Sequence, residues 1–119
     1  MTTQELKQRT FEFGIRVVSA VEALPKTETA RIVGRQLLRA GTSVGANYRA
    51  AARARSRADF VARLGIVEEE CDESSFWMEM VIALKLLKKG RLTSLLTEST
   101  ELLAITVASI KTARRSRRA

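Results

Sequence analysis

The sequence predicts an all-α protein, an antiparallel up-down four-helix bundle. Apolar residues recur at three- and four-residue steps, and no segment alternates as a half-exposed strand would. Hydrophobic residues make up 45% of the 119 positions and charged residues 29%, with one proline, as in a folded helical domain. A chain of this length forms one domain. We expect residues 1–113 to form the bundle and residues 114–119 a basic, disordered C-terminal tail.

The first two helices are delimited by a proline and a threonine. Helix one is predicted over roughly residues 4 to 23, and Pro25 ends it because its ring disfavours helical geometry in the preceding residue. Its apolar side consists of Leu6, Phe13, Val17, Val21 and Leu24. Thr27 is a suitable N-cap for helix two, which we expect to run unbroken from about 28 to 55.

Local signals also delimit the last two helices. Ser56 as cap, with Asp59 three residues later, predicts the start of helix three, and Gly90 is expected to end it. The buried side of helix three is predicted to be Phe60, Leu64, Val67, Cys71, Ser74, Met78 and Val81. The core side of helix four is predicted to be Leu92, Leu95, Leu96, Ser99, Leu102, Leu103, Thr106 and Ile110. Four amphipathic helices with short links favour a bundle.

Helix two separates its residues onto three faces when each is rotated by about 100° from the last. The core face holds Val33, Leu37, Ala40, Val44, Tyr48 and Ala51. The arginine face holds Arg31, Arg35 and Arg39, then Arg49, Arg53 and, if the helix extends that far, Arg57. The small-residue face, which lets a second helix approach closely, holds Gly34, Gly41, Gly45 and Ala52. The rival interpretation, a phosphate-binding GTSVG loop, lacks the Gly-Lys-Ser/Thr ending and a preceding strand.

Helix three carries two further features. A second apolar side contacts either another subunit or a neighbouring helix of the same bundle, and the sequence leaves both open. Its residues are Ile66, Trp77, Met80, Leu84 and Leu87. Residues 68 to 79 also hold a cluster of acids: Glu68, Glu69, Glu70, Asp72, Glu73 and Glu79. A divalent-cation site or an acid/base pair is conceivable, but we expect these acids to pair with arginines, within the bundle or across a subunit interface.

Composition excludes several functional classes. Histidine is absent, which removes the commonest general base and transition-metal ligand, so hydrolytic triads and zinc sites built with histidine are excluded. Ser43, Asn47, Tyr48 and Asp59 form no recognisable nucleophile–base pair, and we expect no metal, no cofactor and no enzymatic activity. The single cysteine, Cys71, cannot form an intramolecular disulfide and is expected to be a buried thiol. No apolar run reaches the roughly 20 residues that cross a bilayer, and the N-terminus is polar, so we expect a cytoplasmic protein without membrane insertion.

The net charge of +8 favours polyanionic partners. The candidate nucleic-acid-binding residues are Arg49, Arg53, Arg57, Lys111, Arg114, Arg115, Arg117 and Arg118. Base-specific readout is not expected, because aromatic residues are only 5% and no known recognition motif is present. The leading hypothesis is a non-enzymatic oligomer that binds RNA or DNA. The alternative is a protein-interaction scaffold whose arginines make subunit salt bridges, with no nucleic-acid role.

Two segments, QLLRAGTSVGANYRAAARARSRADF and EEECDESSFWMEM, resemble a bacterial four-helix-bundle protein family. That family was first noticed as reading frames in intervening sequences of large-subunit ribosomal RNA genes. The resemblance covers about residues 10 to 88 and includes Gln36, Leu37, Arg39, Thr42, Ser43, Asn47, Tyr48, Ser56, Asp59, Phe60, Glu70, Glu73 and Trp77. Where the family often has Arg-Glu-Ala after Asn-Tyr, this chain has Arg49, Ala50 and Ala51.

The resemblance implies an up-down bundle that assembles into a ring of five. A distant branch, the accessory proteins of diversity-generating retroelements, binds nucleic acid and a reverse transcriptase, so a protein partner is a further expectation. The candidate residues of the oligomer interface are Gly41, Gly45, Asn47, Tyr48, Glu73, Trp77, Met80 and Leu84.

Overall fold

Four helices form the protein in the computed structural model, which describes residues 1–116. They are α1 (Thr3–Glu22), α2 (Glu28–Ala52), α3 (Arg57–Ala83) and α4 (Thr93–Ser116), with a 3-10 turn at Lys89–Arg91 before α4. The described part of the chain contains no strand. Each helix packs on the next in chain order, giving a particle of 53 × 21 × 20 Å. The predicted all-α class and the four-helix bundle are confirmed.

The helix starts follow from side-chain caps. Thr27 Oγ1 accepts a hydrogen bond of 3.1 Å from Ala30 N, and Ser56 Oγ accepts one of 3.0 Å from Asp59 N. Each bond satisfies a backbone donor that the first turn of a helix leaves without a partner. Both predicted caps are therefore confirmed.

Helix α2 is shorter than predicted, because it ends at Ala52. The N–H groups of Arg53 and Ala54 bond back to Ala50 and Ala51, which closes the last turn. Arg57 is the first residue of α3. The condition for Arg57 to join the arginine face of α2 is therefore not met, since the Ser56 cap starts a new helix there.

Helix α3 ends at Ala83, well before Gly90. Lys85 adopts a left-handed conformation with φ of 58°. Leu86 N bonds to Val81 O and Lys85 N to Ile82 O, the paired bonds of a Schellman motif. The predicted termination at Gly90 is wrong, because the helix already ends at the Lys85 turn, after which Leu86 packs against the core.

The small-residue face of α2 packs against α1 of the same chain. A Cβ added at Gly45 would lie 3.1 Å from the carbonyl oxygen of Thr10, and one at Gly34 would lie 2.8 Å from Leu24 Cδ1. Gly34, near the start of α2, contacts Leu24 just after the end of α1, whereas Gly45, later in α2, contacts Thr10 in the first half of α1. The two helices are therefore antiparallel. The sequence predicted this close approach, but the approaching helix belongs to the same bundle.

The core confirms the predicted buried sides. Its fully buried large side chains include Phe13, Val17, Leu37, Val44, Leu64, Val67, Met78, Val81, Leu92 and Leu102. Helix α4 continues to Ser116 and so includes Arg114 and Arg115, beyond the predicted boundary at residue 113. None of the helices in residues 1–116 has a stretch long and apolar enough to cross a membrane.

Candidate nucleic-acid interface

Four helix termini meet at one end of the bundle. Gln4, Lys7 and Gln8 at the start of α1 line a polar cleft together with Arg49 and Arg53 at the end of α2. A second cleft joins Met1 and Leu6 of the N-terminal segment, Phe60 of α3 and the last turns of α4 near Thr112. The turn from Arg53 to Ser56 caps the same end, because it links α2 to α3. Residues far apart in the sequence therefore share one surface.

This surface, called here the basic end, collects lysines and arginines from all four helices. Its residues are Lys7, Arg49, Arg53, Arg55, Arg57, Lys111, Arg114 and Arg115. All are exposed except Lys7, which is half-buried. Within residues 1–116, none of them pairs with a carboxylate. The positive charge of this end is therefore not neutralised by the described part of the chain.

The acids near the basic end are already occupied. The Glu5 carboxylate accepts a hydrogen bond of 3.0 Å from Thr2 N in a reciprocal capping box. The backbone hydrogen bond of Thr2 lowers the pKa of Glu5. Asp59 holds Arg63, which lies one turn further along α3, at 3.2 Å. These two carboxylates therefore make their close contacts with Thr2 and Arg63 rather than with the cations of the basic end.

The structure brings most of the predicted nucleic-acid-binding residues together. Arg49, Arg53, Arg57, Lys111, Arg114 and Arg115 all belong to the basic end. Arg117 and Arg118 lie outside the described residues. Sequence reasoning missed Lys7 and Arg55. The arginine-rich ARARSR run between two helices was a signal for Arg55, whereas the position of Lys7 depends on how α1 packs on α2.

Arg39 is bound differently, because it pairs with the acids of α3. Its guanidinium lies 3.2 Å from Glu70 Oε2 and 2.9 Å from Glu73 Oε1. Burial raises the pKa of Glu70, whereas the hydrogen bond from Arg39 lowers the pKa of Glu73. The expected pairing of the acidic cluster with an arginine of α2 therefore exists within a single bundle. Arg39 is consequently less available to an external anion than Arg49 or Arg53.

The predicted oligomer-interface residues divide into three groups. Gly41 and Gly45 are buried against α1, and Tyr48 lies in the core, so the packing partners that the structure gives these three residues are in the same chain. Asn47 bonds to Ser43 O on its own helix. Of the remaining residues, Glu73, Trp77 and Met80 lie on α3 and Leu84 is its C-cap, and all four are partly exposed.

The second apolar side of α3 is shared between the core and the surface. Trp77 and Met80 pack partly against the core, whereas Ile66 and Leu84 are 42% and 45% exposed. Phe76, which was not among the predicted residues, is 52% exposed, and its ring lies at 84° to the Trp77 ring with 4.9 Å between the ring centroids. Contact with a neighbouring helix of the same bundle is therefore confirmed for Trp77, Met80 and Leu87, and contact with another subunit remains a prediction for the exposed part.

No catalytic arrangement is apparent in residues 1–116. No group of three or more His, Cys, Asp or Glu side chains is placed to hold a metal ion in that range. Burial raises the pKa of the Cys71 thiol to about 12, so the reactive thiolate is scarce at neutral pH.

The fold and the basic end together define a small four-helix-bundle protein with a cationic surface at one end. The chain belongs to the 23S rRNA-intervening sequence protein family, whose model matches residues 2–108. It is also similar to a protein of unknown function from the S23 ribosomal protein family of Bacteroides thetaiotaomicron, known from a crystal structure at 1.70 Å resolution. The two chains are 34% identical with a TM-score of 0.83, over 89% of this chain and 98% of the other.

The resemblance stated from the sequence is thereby confirmed. A comparison with curated proteins gave no match. Neither the family nor the similar structure points to an enzyme.

Proposed function

We propose that this protein is a non-enzymatic nucleic-acid-binding protein that contacts phosphates through its basic end, without reading base sequence. The observation that carries the proposal is the convergence of unpaired arginines and lysines from four helix termini on one surface. Arginine suits this role because its planar guanidinium binds phosphate oxygens in pairs. The family's description, which refers to intervening sequences in 23S rRNA, is compatible with RNA as the partner.

The charge pattern favours a polyanion over a small anion. The cations extend from Lys7 and Arg49 on one side to Lys111 and Arg114 on another, so no single phosphate reaches them all. A nucleic-acid backbone can contact several at once, and the released counterions supply most of the binding free energy. Assembly of several copies would strengthen such weak contacts further through effective concentration.

A charge-matched pair of variants tests the proposal. The first replaces Arg49, Arg53, Lys111 and Arg114 with glutamine at the basic end. The second replaces Lys26, Lys88, Lys89 and Arg91 with glutamine at the opposite end of the bundle, which removes the same number of charges from exposed positions. Fluorescence anisotropy with a structured RNA should show a large loss of affinity for the first variant and a much smaller loss for the second. Equal losses of RNA affinity in the two variants would show that binding depends on the net charge of the protein and not on the basic end, which would contradict the proposal.

Self-association is the second candidate function, and a specific observation favours it. Ile66, Phe76 and Leu84 on α3, with Ile32 on α2, are large apolar side chains that are 42 to 54% exposed. In a homo-oligomeric scaffold these side chains would be covered by another copy, and Arg49 and Arg53 would pair with its acids. When one surface of each copy binds a different surface of the next copy, the copies form a closed ring if the rotation between neighbours is a whole fraction of a turn. The ring of five that the resemblance implies is one such assembly.

Light scattering separates the two candidates. If Arg49→Ala with Arg53→Ala lowers the mass of the assembly and leaves the RNA affinity unchanged, these arginines are subunit contacts. If the mass is unchanged and the affinity falls, they are phosphate contacts.

A further inference from the structure

The groove between α1 and α2 is apolar where it meets the basic end. Phe11, Ile15 and Val18 form its α1 side, and Thr42 and Ala46 form its α2 side. Gly14 and Gly45 form its floor, where the two backbones approach closely. The groove has a volume of about 260 Å³. This is just below the range of about 300 to 1,000 Å³ that is typical of small-molecule pockets.

Arg49 connects this groove to the basic end. Its guanidinium carbon lies over the Phe11 ring, 5.3 Å from the ring centroid. The same residue lines the polar cleft that holds Lys7 and Arg53. The Phe11 ring nevertheless remains 48% exposed. An exposed aromatic ring and a planar cation are thus placed beside unpaired phosphate-binding groups.

A single exposed phenylalanine on a protein surface needs no explanation. Phe11 differs because it borders a groove that a second exposed apolar side chain, Ile15, also lines, and because Arg49 lines both this groove and the cationic cleft. Single-stranded nucleic acids combine the two matching chemistries: an unpaired base stacks on aromatic rings and arginine planes, while its phosphates contact cations. A duplex keeps its bases stacked internally and offers only its backbone here.

We infer that the α1–α2 groove is a stacking subsite for one unpaired nucleobase, with Phe11 and Arg49 as its contacts and Lys7 and Arg53 binding the adjoining phosphates. The inference rests on the proposed function and narrows it, because it makes single-stranded segments the preferred ligand. The subsite distinguishes a base from no base, rather than one base from another, since every base presents an aromatic face.

The test uses the full chain and three probes of equal length: oligoadenylate, the same strand with an abasic position at its centre, and a duplex. Phe11→Leu keeps the residue apolar at an exposed site, and Leu38→Ala on α2 is the control, because Leu38 is a 36% exposed apolar residue outside the groove. Phe11→Leu should weaken oligoadenylate binding by about fivefold to tenfold, the lower range for loss of one stacked base. Binding of the duplex should be unchanged, and Leu38→Ala should leave every affinity unchanged.

A fluorescent 2-aminopurine at the centre of the strand provides a direct readout of stacking. Its emission should be quenched by the wild-type protein and recover with Phe11→Leu. Unchanged affinity and quenching with Phe11→Leu, while glutamine substitutions at the basic end still abolish binding, would overturn the stacking subsite alone. Absence of nucleic-acid binding by the wild-type chain would overturn the proposed function as well. A fall in assembly mass with Phe11→Leu would identify the groove as a subunit contact, which also overturns the inference.

Discussion

A two-pronged ion pair joins Arg9 on α1 to Glu98 on α4. Arg9 Nε and Nη2 each donate a hydrogen bond of 2.7 Å to a different oxygen of the Glu98 carboxylate. The side chains are 24% and 15% exposed, so solvent screens the pair only partly. Arg9 also contacts Glu101 at 3.0 Å, but that carboxylate is 57% exposed. The Arg9–Glu98 pair therefore ties the first helix to the last.

Removing the charge of Glu98 should destabilise the fold. Glu98→Gln at pH 7 should lower the free energy of unfolding by about 1.5 to 3 kcal/mol, the range for hydrogen bonds to charged groups. Urea unfolding followed by circular dichroism measures this loss. Glu101→Gln is the matched control and should cost less than about 1 kcal/mol, because exposed pairs contribute little. Equal losses for the two variants would contradict the assigned role of Glu98.

The same pair predicts how stability depends on pH. The hydrogen bond from Arg9 lowers the pKa of Glu98 in the folded protein. A lowered folded-state pKa means that the contribution is fully present above the unfolded value of about 4.3 and is lost as the pH falls through the folded value. The stability difference between wild type and Glu98→Gln should therefore shrink in acid. A difference that stays constant from pH 7 to about pH 2 would contradict this linkage.

The contact of Gly45 with Thr10 predicts a position-specific glycine effect. A Cβ at Gly45 would press on the carbonyl oxygen of Thr10 at 3.1 Å, whereas one at Gly65 in α3 would meet no atom within 4 Å. Gly45→Ala should therefore destabilise the protein by about 1 to 3 kcal/mol through overpacking. Gly65→Ala should stabilise it by up to about 1 kcal/mol, because alanine favours a helix interior. Thermal unfolding of both variants measures the contrast, and equal shifts would contradict the close approach of α1 and α2.

The left-handed residue after α3 predicts a stabilising substitution. Lys85 has φ of 58°, a conformation that costs a residue with a Cβ about 1 to 2 kcal/mol. Lys85→Gly removes this cost but gains chain entropy in the unfolded state, so the net gain should be about 0.5 to 1 kcal/mol. Lys85→Ala removes the charge and keeps the Cβ, so its stability should stay near that of the wild type. If denaturant unfolding gives Lys85→Ala the same gain in stability as Lys85→Gly, the gain comes from removing the charge and not from relieving the left-handed conformation.

Features governed by neighbouring residues were predictable from the sequence. The caps at Thr27 and Ser56 act over three residues, and the buried sides follow from helical periodicity. The end of α3 was not predictable in this way, because Lys85 is held in an unfavourable conformation by the packing of Leu86 on the core. Tertiary packing overrides local preference at that turn.

The candidate site, too, was predictable only where it depends on local sequence. The arginines of α2 and α4 were identifiable from composition and position in the chain. That they converge with Lys7 on one end, and that Arg39 is instead held by Glu70 and Glu73, depends on how the helices pack. The Phe11–Arg49 contact likewise joins two helices, so no local pattern indicated it.

The central claim is that unpaired cations of the basic end bind nucleic-acid phosphates. The most direct measurement is the affinity of the full chain for a single-stranded RNA over a salt series, with the basic-end glutamine variant measured in parallel. If about five phosphates are neutralised, the logarithm of the association constant should fall against the logarithm of salt with a slope near −3.5. The variant should show a correspondingly shallower slope. Absence of binding at low salt, or a slope that is the same for both proteins, would contradict the claim.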